Sequence, residues 1–320
     1  MPLPHSVPSL SRSLAPDSAA SYRPLVSVVV PMFNAALTVQ RALASIQAQT
    51  YGNWEAIFVD DASTDGGTDL IAAARDRRCH VIRLEVNVGP AKARNLGISA
   101  AQGELVAFLD ADDEWLPEKL ARQVAPFAAD PKLALVVADM RVRTVSGGEG
   151  SSVYARQAPV SGGEAWRTLL ASSFVATSAA VTRRDLLERL DGFDPGLVTG
   201  EDQDLFIRLA LAGRVCALPE TLAIYHWMPR SFSIGHARRQ ASDVLAMVHN
   251  HLRVLGPLLS ARERRAVLAR RHERLGANLL DAGALFAGAG LLLRAAFAGR
   301  APVANLVRIL RRLGRKAGSP

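Results

Sequence analysis

Cysteine is scarce in this chain: 320 residues hold only Cys79 and Cys216. Two cysteines so far apart make neither a disulfide framework nor a metal-ligand cluster, and they suit a reducing cytoplasm. Glycine-rich phosphate cradles are missing as well. No G-x-G-x-x-G follows the first apolar run, where "VVVPMFNA" (28–35) stands instead, and no G-x-x-x-x-G-K-[ST] occurs anywhere. A bound nucleotide would need a metal to meet its diphosphate charge. Internal repeats and low-complexity segments are absent. Beyond Gly235 the longest uncharged run is the 12 residues Ala282–Leu293, short of the about 20 that cross a bilayer. Acidic residues are rare there too: Gly235 to the end carries 16 Lys/Arg against 4 Asp/Glu, a balance of +12, while the rest of the chain stands at −4. Such a basic tail suits an anionic partner, whether nucleic acid, anionic lipid or a lipid-linked phosphate, or it is a solvated basic helix face. No nucleic-acid-binding motif or regular aromatic interleaving accompanies it, so no nucleic acid is expected.

What is present is an alternation of periods. "LVSVVV" (25–30), "EAIFVD" (55–60), "HVIRL" (80–84), "ELVAFLD" (104–110) and "KLALVVAD" (132–139) read as strands covered on both faces. Between them, helical spacing places Val39, Leu43 and Ile46 on one face. Leu70, Ile71 and Ala74 form a second face, Ala93, Leu96 and Ala100 a third, and Leu120, Val124 and Phe127 a fourth. Strand–helix alternation predicts right-handed βαβ units and a mainly parallel sheet, with ligands at the carboxyl ends of the strands. The Ser- and Pro-rich residues 1–24 read as a disordered leader. No apolar core of a signal peptide follows the first basic residue.

Two acidic clusters stand at those strand ends: Asp60–Asp61, and Asp110, Asp112 and Asp113 followed by Glu114. In an extended strand, residues two apart share a side, so Asp110 and Asp112 can converge. Crowded carboxylates repel unless a cation joins them, and a hard divalent ion takes one or two carboxylates and completes its shell with phosphate and water. The competing reading is a solvated acidic turn, with Asp113 and Glu114 starting the helix after Pro117. An EF-hand is excluded because Trp115 stands where that loop needs glycine. A second constellation, "VTGEDQDLFIRLALAG" (198–213), puts Glu201 and Asp202 in the first turn of a helix whose apolar face is Leu205, Leu209 and Ala212. Either they stabilise the helix dipole, or one is a general base facing a metal site.

These residues together resemble the family 2 glycosyltransferases. The matching segments are "VSVVVPMFN" (26–34), "QTYGNWEAIFVDDASTDGGT" (49–68), "NVGPAKARNLGISAAQGELVAFLDADDEW" (87–115) and "DGFDPGLVTGEDQDLFIRLALAG" (191–213). The resemblance implies an α/β GT-A fold, Rossmann-like, with a mainly parallel sheet flanked by helices over 25–235. A basic helical C-terminal region (236–320) would follow. It implies inverting transfer of a sugar from a nucleotide-sugar donor to the hydroxyl of a saccharide or lipid-linked acceptor, with Mg²⁺ or Mn²⁺. It also implies roles: Asp112 as metal ligand, Asp110 assisting it and touching the donor, and Asp61 on the nucleobase or ribose. Pro31, Phe33 and Asn34 would line the nucleotide pocket, with Arg94 and Lys92 facing the donor. Asp202 would be the catalytic base and Glu201 would position the acceptor. Asn34 as a plain turn residue and Arg94 as a surface ion-pair partner are the alternatives for those two.

One departure stands out. Where the family often carries Tyr-Arg-x-His-Pro, this chain has "YHWMP" (225–229), with Met228 at the His position and His226 at the Arg position. A thioether is a poor ligand for a hard cation, so either His226 takes its place from a shifted backbone or, the preferred reading, the ion relies on carboxylate, phosphate and water. The family's Q-x-x-R-W signature of polymer synthesis is absent. Beyond 235, the mix of Leu, Phe and Ala with "RILRRLGRK" (308–316) fits either a helix lying on the inner face of an anionic membrane or a helical subdomain packed on the catalytic domain or on a second chain. A nucleotide-sugar-binding relative without catalysis, and a nucleic-acid binder using the tail, are the functions of other classes set against the enzyme.

Overall fold

The computed structural model describes residues 22–144, 148–227 and 237–317, the last six of these for their backbone alone. Eight strands form one sheet: β1 (Val26–Met32), β2 (Trp54–Asp60), β3 (Cys79–Arg83), β4 (Leu105–Phe108), β5 (Glu114–Trp115), β6 (Leu133–Arg143), β7 (Ala180–Arg183) and β8 (Arg214–His226). Their order is β3-β2-β1-β4-β7-β6-β8-β5. β3, β2, β1 and β4 run parallel, as do β6 and β8, while β7 is antiparallel to both its neighbours and β5 to β8. The sheet is thus mainly parallel, with its carboxyl-end edge open for ligands.

Alternate side chains of each strand enter two cores. Val28 and Val30 of β1 pack with Phe58, Leu105 and Ala107 beneath helices Val39–Gln47 and Lys119–Ala129. Val29 packs on the other face with Val59, Val106 and Phe108, against helices Pro90–Ala100, Ala165–Ala171 and Glu201–Ala212. That second core runs on through Val244, Met247, Val267 and Leu275 of the C-terminal helices Ala237–Val254 and Ala261–Asp281. The apolar core is therefore continuous across residue 235. Residues 1–21 of the expected leader, and Met228, lie outside the described residues. Pro24 is held by the Tyr51 hydroxyl, which donates to its carbonyl at 2.5 Å.

Three local expectations change. β4 ends at Phe108, and Asp110 to Asp113 close a turn through the Asp113 N–H and Asp110 carbonyl (3.0 Å). The carboxylates therefore converge by turning, not by strand alternation. Asp113 and Glu114 start no helix: Asp113 is buried, Glu114 opens β5, and the helix begins at Lys119. In Pro90–Ala100, Ala93 is buried as expected, but Leu96 and Ala100 are exposed and the buried side is completed by Ala91, Arg94, Gly97 and Ile98. The helix is rolled this way because Gly97 meets the sheet, where an added Cβ would lie 2.5 Å from Val29 Cγ1 and 3.3 Å from Val59 Cγ2.

That contact sets the distance between helix and sheet, and so the position of Arg94. Gly97→Ala is expected to cost about 1–3 kcal/mol by overpacking, read as a lowered thermal midpoint. Gly290→Ala, in an open helical position, is expected to be neutral or stabilising by up to about 1 kcal/mol. Equal midpoints for parent and Gly97→Ala would refute the seating.

Candidate active site

The loops after β1, β2 and β4 meet at one edge of the sheet. Asn34 has left-handed backbone (φ 49°), which Asn tolerates better than most residues. Its side-chain oxygen accepts from the Thr64 N–H at 3.0 Å, and its own N–H donates to the Ser63 hydroxyl at 2.9 Å. The β1 and β2 loops are thereby tied together. Phe33 beside it is half exposed, and Pro31 is partly buried at the end of β1. Asp61 is buried, and its two oxygens accept from the N–H groups of Val88 (2.7 Å) and Gly89 (2.9 Å). It thus fixes the loop that launches Pro90–Ala100. Lys92 on that helix is exposed.

Arg94 is the hinge of the site. Its Nη2 donates to Asp110 Oδ1 at 2.7 Å and its Nη1 to Glu201 Oε1 at 2.9 Å, with the guanidinium 5.3 Å from the centre of the Phe193 ring. Burial alone would lower its pKa, but Asp110 and Glu201 outweigh burial and raise it. It is therefore a fixed positive charge joining the two acidic segments. Asn95, next to it, accepts from the Phe193 N–H (2.8 Å) and donates to the Phe193 carbonyl (2.7 Å). The 191–200 loop is gripped in this way before the Glu201–Ala212 helix begins at Gly200 (φ 82°).

A second bridge runs through Thr177 and Ser178. The Ser178 hydroxyl donates to Asp113 Oδ2 at 2.5 Å and accepts from the Asp110 N–H at 3.1 Å. The Thr177 hydroxyl reaches Asp202 Oδ2 at 3.5 Å. Arg41 holds the turn from the third side, donating to the Asp112 carbonyl at 2.5 Å. Nothing in the sequence periodicity marks Arg41, Thr177 or Ser178. The chain order hides them, since each meets its partner 25 to 71 positions away.

The carboxylates titrate abnormally because they are crowded and dry. Burial, then repulsion from Asp110, lifts Asp112 to about 6 against the pull of Arg41 and Arg94. Asp113 is pushed well up by burial and by both neighbours, and its Oδ1 has no hydrogen-bond partner among the described residues. Burial and the Asp202 charge raise Glu201 to about 7, with Arg94 opposing. Asp202 is raised chiefly by burial, while the Gln203 N–H (2.7 Å) and Arg94 hold it down. This excess of carboxylate over guanidinium is the environment a cation relieves. Among the described residues no group of three His, Cys, Asp or Glu side chains is arranged to hold a metal. Asp112 and Asp110 could supply one or two oxygens, and the remaining positions would fall to phosphate and water, the habit of Mg²⁺ in nucleotide sites. The donor set fits such an ion. His226 is engaged elsewhere: its Nε2 lies 2.9 Å from Glu114 Oε2, with an Arg143 nitrogen 3.6 Å from the same oxygen.

The C-terminal helices buttress the Glu201–Ala212 helix. Arg271 is buried and donates to the carbonyls of Leu170 (2.9 Å) and Leu169 (2.6 Å), capping the end of Ala165–Ala171, and to the Gln203 side chain (2.6 Å). Burial and the neighbouring Arg274 push its pKa down to about 9. Asp204 accepts from Arg208 (2.7 Å) and bonds His251 (2.8 Å), while Arg208 also reaches the carbonyls of Leu190 and Gly192. So of three carboxylates in the first helical turn, Asp204 is structural and Glu201 is paired with Arg94. Asp202 is the one whose contacts are a hydroxyl and a backbone N–H.

This fold, with acidic turn and acidic helix start facing each other across the sheet edge, is that of GT-A glycosyltransferases. The mannosyltransferase PcManGT from Pyrobaculum calidifontis, in complex with GDP-Man and Mn²⁺, aligns with a TM-score of 0.62 over 92% of this chain and 81% of that one, at 24% identity. The sequence model described as "Glycosyl transferase family 2" matches residues 27–191, just over half of the chain. The succinoglycan biosynthesis protein ExoO of Rhizobium meliloti is 34% identical over 259 residues, 73% of this chain and 74% of ExoO. The chain belongs to glycosyl transferase family 2. A UDP-Glc:alpha-D-GlcNAc-diphosphoundecaprenol beta-1,3-glucosyltransferase of Escherichia coli, WfgD, is 38% identical over 101 residues, 32% of this chain. The chain spans less than half the length of some curated relatives, WfgD among them at 40%.

The three carboxylates can be separated by experiment. His251 and Arg208 overcome the upward push of burial and hold Asp204 below its ordinary pKa. Its contribution to stability is therefore full above the unfolded-state value of about 3.9 and fades as pH falls through the folded-state pKa. Asp204→Asn is expected to cost about 1.5–3 kcal/mol at pH 7. The gap from the parent in chemical denaturation should narrow in acid. A gap that persists unchanged at low pH would contradict the assignment.

Proposed function

We propose that the chain is a metal-dependent, inverting glycosyltransferase that moves a sugar from a nucleotide-diphosphate sugar to an acceptor hydroxyl in cell-surface polysaccharide or glycoconjugate synthesis. The observation that carries this is the double bridge of Arg94, which sets the Asp110–Asp113 turn and the Glu201–Asp202 helix start on either side of one buried guanidinium. The nucleoside would rest on the tied β1 and β2 loops, against Pro31, Phe33 and Asn34, with Asp61 shaping the floor and Lys92 at the rim. Asp112, with Asp110, would hold Mg²⁺ or Mn²⁺, which when bound offsets the charge of the leaving nucleoside diphosphate.

Asp202 would accept the proton of the acceptor hydroxyl as its oxygen attacks the anomeric carbon opposite the leaving group. One carbon–oxygen bond forms as the bond to the diphosphate oxygen breaks, so the configuration inverts. Raised by burial, Asp202 is a stronger base than an exposed aspartate, and among the described residues no cationic partner lies in direct hydrogen-bond reach of its carboxylate. Glu201, fixed by Arg94, would orient the acceptor. The acceptor would be a saccharide, free or lipid-linked, as WfgD's name states for that protein, reached from the inner face of the membrane.

Two variants test this against a panel of UDP-, GDP- and dTDP-sugars. Asp202→Asn is expected to bind donor normally, melt near the parent, and transfer sugar at least about a hundredfold more slowly. Asp112→Asn is expected to lose both turnover and the metal dependence of donor binding. Near-parental transfer by Asp202→Asn would sink the base assignment and make Glu201 the next candidate. A parent that binds donor but neither hydrolyses nor transfers it would favour a non-catalytic relative.

A further inference from the structure

The last two helices present apolar faces that no described residue covers. Leu285–Phe297 buries Leu291, Leu292 and Ala295, yet leaves Phe286 93%, Leu293 43% and Phe297 91% exposed. These three recur at i, i+7 and i+11, one side of a helix. Pro302–Ala317 seats Asn305 and Ile309 inward, with Ile309 against Leu280 and Leu292. It leaves Val303, Leu306 and Leu310 exposed at i, i+3 and i+7. By the same spacing, the exposed Arg311 stands beside this stripe and the exposed Arg294 stands beside that of Phe286, Leu293 and Phe297, while Arg308 faces the other way. Isolated exposed apolar residues are ordinary, but two successive helices with ordered apolar stripes are not.

The charge of this segment selects the occupant. Residues 282–320 carry seven Lys/Arg and no Asp or Glu. A second copy placed face to face would bring two such segments together with no carboxylate to pair them. An anionic bilayer meets both features at once: phosphate headgroups for the arginines, and the acyl boundary for phenylalanine and leucine. No described helix is long and apolar enough to cross a membrane, so the helices would lie in the interface.

We propose that the Leu285–Phe297 and Pro302–Ala317 helices form a docking surface for an anionic bilayer, inserting Phe286, Phe297 and Leu306 while Arg294 and Arg311 meet lipid phosphates. This concerns where the chain sits and stands apart from the donor assignment; its failure would leave sugar transfer untouched. Leu292 and Ile309 of these helices pack on Leu280 of the Ala261–Asp281 helix, whose Arg271 also bonds Gln203, so the Glu201–Ala212 helix would be held in fixed relation to the bilayer.

The test is co-sedimentation of the full chain with phosphatidylcholine vesicles, alone or with about one third phosphatidylglycerol. The parent is expected to bind the anionic vesicles only, and to release them as salt shortens the screening length from about 10 Å at 0.1 M to about 3 Å at 1 M. The triple variant Phe286→Ser/Phe297→Ser/Leu306→Ser is expected to bind at least about tenfold more weakly. Arg294→Ala/Arg311→Ala should lose a similar factor. Both should keep the parent's circular dichroism, melting and metal-dependent donor hydrolysis. Binding of neither vesicle by the parent, or parental binding by both variants, would overturn the proposal. So would a dimer, seen by sedimentation equilibrium without lipid, that the triple variant abolishes.

Discussion

A buried guanidinium between two carboxylates organises this molecule. Arg94 has a nearly inaccessible side chain, and its charge is tolerable only because Asp110 and Glu201 lie on either side of it. Removing one partner of a buried pair commonly costs about 3–5 kcal/mol. The surroundings are built to keep the geometry: Asp61 fixes the loop before the helix, Gly97 lets the helix lie close on β1, and Asn95 clamps the Phe193 backbone. Through Arg94, sequence segments more than a hundred residues apart are joined directly at the site.

The same bridge explains why so many acids coexist. Each carboxylate of the Asp110–Asp113 turn is held near its neighbours by backbone geometry, and burial removes the water that would screen them. Arg94 and Arg41 offset part of the repulsion and leave a residue of negative potential. Repulsion of this kind favours the binding of a cation beside the turn. The raised pKa of Asp112 and that of Glu201 are two expressions of one crowded charge distribution.

Most of the sheet's parallel half was legible because β1, β2, β4 and β6 are continuous apolar runs separated by helical spacing, a pattern that burial on both faces imposes. By contrast β3, expected to be covered on both faces, is an edge strand that exposes His80, Val81 and Arg83. β7, at four residues, and β5, at two, are too short to carry a period. In β8 the run is interrupted at Pro219, near the register irregularities in its pairing with β6. In the site, the acidic residues could be read from their place at strand and helix ends. The side chains that hold them could not: Arg94 was visible as a candidate but not as a bridge, and Ser178, Thr177 and Arg41 owe their roles to contacts that no local spacing encodes. Leu96 and Arg94 exchange the expected sides of their helix because a glycine contact and a charge pair outweigh one leucine's burial.

The direction of β7 has an evolutionary consequence. It runs against β4 and β6, so the chain re-enters the sheet beside the acidic turn from the opposite sense. Everything proposed to hold the donor lies before residue 116, and everything proposed to meet the acceptor lies after residue 176. The two halves touch at the site through Arg94, Thr177 and Ser178. Mutations that alter one substrate preference can therefore accumulate in one half of the chain without disturbing the other, provided those seam residues stay. A lineage could in this way keep an inherited donor and drift among acceptors, with the guanidinium as the part that selection holds still.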